Sequence, residues 1–215
     1  MEFLDEAISA YTEQHTEAES SVLAALNRDT QAHVLMPRML SGHLQGQVLR
    51  MLSCMIRPRR ILEIGTYTGY SAICLADGLQ EGGVLHTIDI NDELKGMVEK
   101  YLRQAGCEKK VVVHTGDAMQ IIPTLKESFD LVFIDADKVN YANYFDLVFP
   151  SVPVGGFLLA DNVLWSDKVL EKAADMDADT RAIDAFNNKI QADPRVSNVL
   201  FPLRDGLMVI RKIAP

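Results

Sequence analysis

The stretch that decides the fold runs from Ile61 to Ser71 and has the sequence ILEIGTYTGYS. Its apolar first half carries one acid, Glu63, and two glycines follow, Gly65 and Gly69. The next residues, YSAICLADGL, have the apolar spacing of a helix. A strand, a glycine turn and a helix in this order open the ligand site of a doubly wound sheet, where backbone amides of the turn face the ligand.

This glycine turn lacks the motifs of the common phosphate-binding loops. It has no third glycine at the dinucleotide spacing and no Gly-Lys-Ser/Thr sequence. It has instead the carboxylate of Glu63, which suits a ligand that carries an ammonium group. Adenosine linked to an amino acid has this combination, and S-adenosylmethionine is the common example. The turn therefore predicts a cofactor of this kind.

Length and composition indicate one globular domain over residues 1–215. The net charge of −9 argues against nucleic acid as a partner, because phosphate binding needs a basic face. No apolar run approaches the roughly 18 residues of a membrane span, so no membrane partner is expected. The acidic N-terminus does not resemble a signal sequence, and the three cysteines lack metal spacing. A reduced, cytoplasmic protein is expected.

Strand and helix patterns alternate from residue 60 to the end of the chain. The alternation predicts an α/β fold with a Rossmann-like, doubly wound, mostly parallel seven-stranded sheet. An Arg-Asp-Gly turn at residues 204–206 joins the last two strands and predicts an antiparallel C-terminal hairpin. The predicted strands are ILEI, VLHTIDI, VVVHTG, FDLVFID, GFLLAD, VSNVLFPL and GLMVIRKI.

The segment before the first strand is predicted to be helical over residues 2–27, with an interruption at the polar stretch TEQHTEAESS (residues 12–21), and over residues 28–36 and 42–56. These helices are expected to form a cap, residues 1–56, on a core of residues 57–215. The apolar face of the third helix is predicted to carry Leu44, Val48, Leu49, Leu52 and Met55. Most methionines of this segment are expected to fill the core, with Met39 as a candidate exception.

Acidic residues stand where the strands of the predicted sheet end, which is where such sheets bind ligands. Asp89 lies 24 residues after Gly65 and suits the two ribose hydroxyls of an adenosine cofactor. The alternative is that Asp89 caps the segment after it. Gly116, Asp117 and Ala118 would pass along the adenine, and Asp117 is also a candidate helix N-cap.

Three hard oxygen ligands, Asp135, Asp161 and Asn162, end two successive strands. Magnesium prefers oxygen ligands, and three protein ligands leave positions for a bidentate substrate. The alternative is that each acid caps the helix after its strand. Lys138 would stand beside this metal, where a nearby cation lowers its pKa toward the range of a general base. A solvated lysine at a helix start is the alternative.

The motifs ExGxxxGYS, IDI, GDA, IDADK and ADNVLW together resemble the cation-dependent class I O-methyltransferases. This is the caffeoyl-CoA and catechol O-methyltransferase family, especially its small bacterial members, and the resemblance runs from about Met39 to Lys212. It implies methyl transfer from S-adenosylmethionine to one hydroxyl of a vicinal diphenol, with Mg²⁺, Ca²⁺ or Mn²⁺ holding the diphenol. The family also implies a homodimer.

The resemblance assigns roles to individual residues. Asp135, Asp161 and Asn162 match the metal ligands, Lys138 matches the catalytic base, and Asp135 is assigned a catalytic role beside it. The positions that match cofactor contacts are Ser41, Glu63, Gly65, Thr66, Tyr67, Ser71, Asp89, Ala118, Asp135 and Asp137.

The acceptor side is less defined by the motifs. Trp165 is a candidate wall of the acceptor site, with a core tryptophan as the alternative, and Tyr141 and Asn187 are further acceptor-side candidates. The glutamate with which the animal catechol enzymes orient the second hydroxyl aligns with Val199, and the CoA-binding residues of the plant enzymes have no convincing match.

Three other functions fit parts of the pattern. A cation-independent methyltransferase would use the acids as base or caps, and a chelator would not inhibit it. A nucleotide-linked oxidoreductase would need the missing third glycine. A non-catalytic binding module would leave Lys138 and the metal ligands without a function.

Overall fold

The computed structural model describes residues 6–215, and within them the predicted seven-stranded mixed sheet is confirmed. The strand order is β3-β2-β1-β4-β5-β7-β6. In chain order the strands are β1 Arg60–Ile64, β2 Val84–Asp89, β3 Val111–Thr115, β4 Leu131–Ile134, β5 Phe157–Asp161, β6 Val196–Phe201 and β7 Leu207–Lys212.

Eight α-helices connect or precede these strands in the described residues. They are α1 Glu6–Gln14, α2 Ser21–His33, α3 Gly42–Ile56, α4 Tyr70–Ala76, α5 Lys95–Gln104, α6 Ala118–Leu125, α7 Tyr141–Val148 and α8 Ala178–Ala192. The start of the helix predicted over residues 2–27 lies outside the described residues. None of these helices is long and apolar enough to span a membrane.

The C-terminal hairpin is antiparallel as predicted, but its two strands join the sheet in an order that the sequence does not reveal. β7 pairs antiparallel with both β5 and β6, so the last strand of the chain is an inner strand and β6 is the edge. In this register Asp161, at the end of β5, is opposite Leu207, at the start of β7. The turn before β7 therefore lies at the carboxyl end of β5.

The described chain divides into two compact units at residues 121 and 122. The helices before β1 belong to the first unit, with the parallel strands β1, β2 and β3. In that unit α2 packs on α4 and α5, and α3 packs along α4. The second unit holds β4 to β7 with α7 and α8, whose largest fully buried side chains include Tyr141, Phe145 and Phe186.

The predicted break between two helices at residue 28 is wrong, because α2 passes through Arg28 without interruption. The helix begins where the Ser20 hydroxyl accepts a hydrogen bond from the amide of Leu23, 3.2 Å away. Its buried residues, Leu23, Leu26 and Thr30, keep helical spacing along one face. The interruption predicted at the polar stretch of residues 12–21 is confirmed, since α1 ends at Gln14 and α2 begins at Ser21.

The predicted apolar face of α3 is wrong for Met55, which is exposed; Leu49 is buried, and Leu44, Val48 and Leu52 are half-buried. The buried residues of this helix are Gln45, Gly46, Leu49 and Ser53. A Cβ at Gly46 would lie 2.5 Å from a ring carbon of Tyr70, so α3 approaches α4 through small and polar residues. Met55 is 74% exposed, and Met36, Met39 and Met51 are exposed too, so the methionines of this segment do not fill the core.

Candidate functional site

The carboxylate of Glu63 lies beneath the glycine turn and has no exposed surface. It is opposite Thr87 in the β1–β2 register, and the Thr87 hydroxyl donates to its Oε2 at 2.5 Å. Because this uses the only proton of Thr87, the hydroxyl of Thr66, 2.5 Å away, is the donor to Thr87. A chain of two hydroxyls thus joins Glu63 to the first residues of the turn, and such buried networks rigidify the backbone that they link.

The turn itself takes a backbone course that needs its glycines. Gly65 and Gly69 have φ values of 103° and 89°, and Tyr67 between them is also left-handed at 48°. The amide of Gly69 donates to the Thr66 carbonyl at 2.8 Å and closes the turn. A Cβ at Gly69 would lie 3.3 Å from Val98 of α5, so the turn is also tightly packed.

Asp89 holds this turn in place through its backbone. One carboxylate oxygen accepts from the amide of Tyr67 at 2.7 Å, and the other accepts from the amide of Asn91 at 2.9 Å. The N-cap of α5 is Leu94, so Asp89 does not cap that helix. Each carboxylate oxygen has a further lone pair, which leaves Asp89 able to accept from ribose hydroxyls as well.

The phenol of Tyr67 ties the turn to the segment before α3. Its hydroxyl lies 3.2 Å from the carbonyl oxygen of Leu35 and 3.3 Å from that of Met36, and it is the donor to both. Burial raises the pKa of Tyr67, which keeps the hydroxyl protonated as this donor. Leu35 and Met39 of this segment are exposed apolar residues.

The remaining predicted cofactor contacts of this unit lie at helix starts. Ser41 precedes α3, Ser71 is in the first turn of α4, and Ala118 begins α6; all three are buried. Asp117 caps α6, as its alternative role predicted, because its Oδ1 accepts from the amide of Met119 at 2.8 Å. The contact of residues 116–118 with adenine stays a prediction.

The predicted metal ligands lie at the ends of two neighbouring strands. β4 and β5 are parallel, and Ile134 of β4 is opposite Ala160 of β5. The next residue on each strand, Asp135 and Asp161, is therefore at the equivalent position. Neither acid caps the next helix: Asn140 is the N-cap of α7, and Asp177 is that of α8. The capping alternative is therefore wrong for both.

Lys138 is buried among the predicted ligands. Its Nζ lies 2.8 Å from Asn162 Oδ1, 3.2 Å from Asp135 Oδ1 and 2.6 Å from the hydroxyl of Tyr141. These three acceptors match the three protons of an ammonium group. With a relative exposure of 8%, Lys138 is not the solvated lysine of the alternative interpretation.

The predicted ligands have the donor atoms that a hard cation prefers. Among residues 6–215, no three His, Cys, Asp or Glu side chains form a group that could hold a metal ion. The predicted set is of another kind, with two carboxylates and an amide. Asp135 Oδ1 and Asn162 Oδ1 both accept hydrogen bonds from the Lys138 ammonium. Oxygen donors that converge on one positive group are the kind that Mg²⁺ and Ca²⁺ prefer.

Asp161 is the most buried of the three, with a relative exposure of 3%. Its Oδ1 accepts from the amide of Asn162 at 2.8 Å. Asn162 itself has a left-handed backbone, with φ of 58°. This conformation presents the amide to Asp161 and leaves the side-chain oxygen to Lys138.

Tyr141 has a different place from the one expected of an acceptor-side residue. It has no exposed surface, and its ring packs edge-on against Phe186 at 5.5 Å between centroids. Burial, with the nearby charges of Asp135 and Asp161, raises its pKa well above the usual value, so the hydroxyl stays protonated. It donates to the Asp161 carbonyl at 2.9 Å and accepts from Lys138. Tyr141 therefore supports Lys138 from the core side.

Asp137, a predicted cofactor contact, already has two partners at the start of α7. Its carboxylate oxygens accept from the hydroxyl of Tyr144 and from the side-chain amide of Asn140, each at 2.5 Å. These contacts orient the carboxylate of Asp137, which is an exposed residue. Its contact with a cofactor stays a prediction.

Trp165 and Asn187 each contribute a buried polar atom that has no hydrogen-bond partner among the described residues. These atoms are the indole Nε1 of Trp165 and the side-chain Oδ1 of Asn187. The Trp165 ring lies 5.6 Å from Lys138 Nζ, so it borders the lysine. Asn187 Nδ2 donates to the Val163 carbonyl at 2.8 Å. The indole N–H of Trp165 can therefore donate to a ligand or water, and Asn187 Oδ1 can accept from one.

Sequence reasoning missed Thr87 and Tyr144, which orient predicted site residues. Thr87 lies two residues before Asp89, on the same face of β2, and that spacing could have indicated it. Tyr144 lies seven residues after Asp137, and only the bend between β4 and α7 brings them together.

Comparison with known proteins places this geometry in a family. The family profile described as O-methyltransferase matches residues 12–213. The chain is 36% identical over 184 residues to the caffeoyl-CoA O-methyltransferase of Mesembryanthemum crystallinum, covering 79% of this chain and 71% of the relative. It is 29% identical to that of Stellaria longipes, covering 91% and 85%.

Solved structures agree with these relatives. The O-methyltransferase TomG from Streptomyces achromogenes, in complex with SAM, superposes with a TM-score of 0.88 at 27% identity, covering 97% of this chain and 96% of TomG. The O-methyltransferase from Bacillus cereus, in complex with SAH, superposes with a TM-score of 0.87 at 30% identity, covering 96% and 97%. Fold, strand-end residues and relatives agree, and the chain belongs to the O-methyltransferase family.

Proposed function

We propose that this O-methyltransferase transfers the methyl group of S-adenosylmethionine to one hydroxyl of a vicinal dihydroxyphenyl acceptor, with a divalent cation at Asp135, Asp161 and Asn162. The observation that carries the proposal is the convergence of Asp135 and Asn162 oxygens on the buried ammonium of Lys138. The oxygens that accept from Lys138, those of Asp135 and Asn162, are also proposed cation ligands. Lys138 Nζ would therefore lie beside the cation, where it is suited to proton transfer.

The cofactor part rests on the turn after β1. The two solved relatives named above are in complex with SAM and SAH and share the fold of this chain, in which a glycine turn and Asp89 lie at the strand ends. The carboxylates of Glu63 and Asp89 provide negative charge around this turn, which suits a ligand with ribose hydroxyls and an ammonium group. S-adenosylmethionine supplies a methyl group on a sulfonium sulfur, and the leaving product is S-adenosylhomocysteine.

The acceptor part rests on residues 135–165. A divalent cation at the three oxygen ligands would supply Lewis-acid stabilisation of a bound phenolate. For this step Lys138 must be the neutral amine: its lone pair at Nζ takes the proton of the acceptor hydroxyl, while its two N–H bonds are donated to the Tyr141 hydroxyl and to Asn162 Oδ1. In the transfer the methyl carbon leaves sulfur and bonds to the acceptor oxygen. Trp165 forms the wall beside Lys138.

The acceptor differs in one respect from a catechol bound in the animal manner. Val199, where those enzymes have the orienting glutamate, lies on the edge strand β6 and is 46% exposed. No carboxylate at this position can accept from the second hydroxyl. The second hydroxyl is therefore expected to depend on the cation and on the free polar atoms of Trp165 and Asn187.

The test is methyl transfer from labelled S-adenosylmethionine to catechol and to caffeic acid, with Mg²⁺ and with excess chelator. Transfer that vanishes with chelator and returns with Mg²⁺ is the expected result. Transfer that is indifferent to chelator would favour the cation-independent alternative. Cofactor binding without transfer to either compound would reject the proposed acceptor class. A homodimer, expected from the family, is checked by light scattering on the same sample.

A further inference from the structure

The loop after β5, residues 162–167, has an unusually strained backbone. Four of its residues, none of them glycine, have left-handed φ values between 50° and 64°: Asn162, Trp165, Ser166 and Asp167. Side chains with a Cβ adopt this region rarely, and such residues persist only where their surroundings hold them. This loop carries Asn162 and Trp165, so what holds it bears on the site.

The turn of the C-terminal hairpin holds this loop by its backbone. The Gly206 carbonyl accepts from the amide of Val163 at 3.2 Å, and the Asp205 carbonyl accepts from that of Leu164 at 2.9 Å. The antiparallel insertion of β7 beside β5 makes these contacts possible, since it brings the turn to the end of β5. A Cβ at Gly206 would lie 2.6 Å from a side-chain carbon of Leu164, so only glycine fits this approach.

The side chain of Asp205 extends this contact to the strained residues themselves. Its Oδ1 accepts from the amide of Ser166 at 2.5 Å, directly after Trp165. A charge-assisted hydrogen bond to an amide between two left-handed neighbours favours the strained course. Asn187, which donates to the Val163 carbonyl at 2.8 Å, is a second tie, from α8. The loop is therefore held from both sides.

We propose that Asp205 is a positioning residue for methyl transfer: through the bond of its carboxylate to the Ser166 amide it supports the loop 162–167, beside the backbone bonds that residues 205 and 206 make to it, and thereby sets the places of Asn162 and Trp165. The roles of Asn162 and Trp165 rest on the proposed function, whereas the hold of Asp205 on the loop does not. The Arg-Asp-Gly turn, a hairpin signal in the sequence, thus gains a second function.

Trp165 is the only tryptophan of the chain, so its fluorescence reports on this loop directly. Asp205→Ala is expected to shift the Trp165 emission to the red and to increase its quenching by acrylamide. Asp205→Asn retains an oxygen acceptor and is expected to restore most of the wild-type signal. Asp146→Ala, which removes an exposed ion pair with Lys189 in the same unit, is the matched control and should leave the signal unchanged.

The kinetic counterpart measures methyl transfer by residues 1–215 with catechol and Mg²⁺. Asp205→Ala should lower kcat/KM for the acceptor about 10- to 100-fold, as expected for displaced site residues, and leave KM for S-adenosylmethionine unchanged. Calorimetric titration with Mg²⁺ should show weaker binding in the same variant. Asp205→Asn should recover most of both losses.

An Asp205→Ala variant with wild-type emission and quenching would overturn the proposal, as would an equal loss in Asp146→Ala. If Asp205→Ala does not fold, as judged by circular dichroism, Asn187→Asp tests the same hold from α8, because it removes the donor to Val163. Exposed Trp165 in that variant would support the hold, and unchanged fluorescence would overturn it. A wild-type enzyme that methylates no vicinal diphenol would reject the proposed function, while the fluorescence result would still decide the role of Asp205.

Discussion

Asp89 and Asp135 both follow buried strands, yet different kinds of groups hold their carboxylates. Two backbone amides, those of Tyr67 and Asn91, hold Asp89, and a side-chain ammonium, that of Lys138, holds Asp135. Backbone donors are fixed by the fold, so the place of Asp89 is set before any ligand binds. A side-chain donor is placed by packing rather than by the backbone, so the surroundings of Asp135 depend on where Lys138 lies.

Because of this difference, mutations around Asp89 and mutations around Asp135 should impair different steps. Changes around Lys138 should impair chemistry or cation binding and spare the cofactor. Changes around Asp89 should impair cofactor binding or the stability of the turn.

The largest effect is expected for Lys138→Met. The variant loses the proposed base while retaining an unbranched side chain of similar length, so kcat should fall by about 100- to 10,000-fold, the usual range for general acid–base catalysis. Binding of S-adenosylmethionine, measured by calorimetry, should stay unchanged. Lys168→Met, which removes an exposed lysine paired with Asp177, is the control. Full activity of Lys138→Met would remove lysine from the mechanism.

A smaller loss is expected for Asp161→Asn, which keeps the size of the side chain and removes its charge. Mg²⁺ binding and Mg²⁺-dependent turnover should weaken by about 10- to 100-fold or more, since changes even outside the ligand shell of metals reach that range. Cofactor affinity should be retained. Mg²⁺ titration of both proteins checks this, and equal Mg²⁺ affinities would contradict the ligand role.

Asp89→Ala tests the other side of the comparison. Losing charge-assisted hydrogen bonds should weaken S-adenosylmethionine binding by roughly 1.5–3 kcal/mol. The acceptor KM at saturating cofactor should change little. Asp92→Ala, an exposed acid in the same loop, is the control. Unchanged cofactor affinity in Asp89→Ala would refute the ribose assignment.

The smallest effect is expected for Thr87→Val, which keeps the shape of the side chain and removes the hydroxyl between Glu63 and Thr66. Taking a donor from a buried carboxylate should lower the free energy of unfolding by about 1–3 kcal/mol. Urea denaturation followed by circular dichroism measures it. A variant as stable as the wild type would show that this hydroxyl chain does not support the turn.

Much of the fold was predictable because its signals are local. The apolar runs of the strands, the glycines at Gly65 and Gly69 and the turn at Gly206 each lie within a few residues of the structure that they specify. The acids at the strand ends were predictable for the same reason, since in a parallel sheet the end of a strand places its residue at the ligand edge.

Errors arose where a local signal was ambiguous. The sequence predicts a separate helix from Arg28, whereas the Ser20 cap sets the start of α2 and Arg28 lies within that helix. Met55 has the hydrophobicity of a core residue but lies on the exposed side of α3. The side of α3 that packs on α4 carries Gly46, because a Cβ at that position would clash with Tyr70.

By itself, the sequence determined the class of fold, the family and the identity of the candidate ligands, because residue type and spacing are enough for these. Only the tertiary structure decided that Tyr141 lies beneath Lys138 and that Lys138 bridges Asp135 and Asn162. It also decided that β7 lies between β5 and β6, so that Asp205 reaches the loop after Asp161. These contacts join residues up to about 40 positions apart, and which of them form depends on the packing of the whole sheet rather than on any short segment.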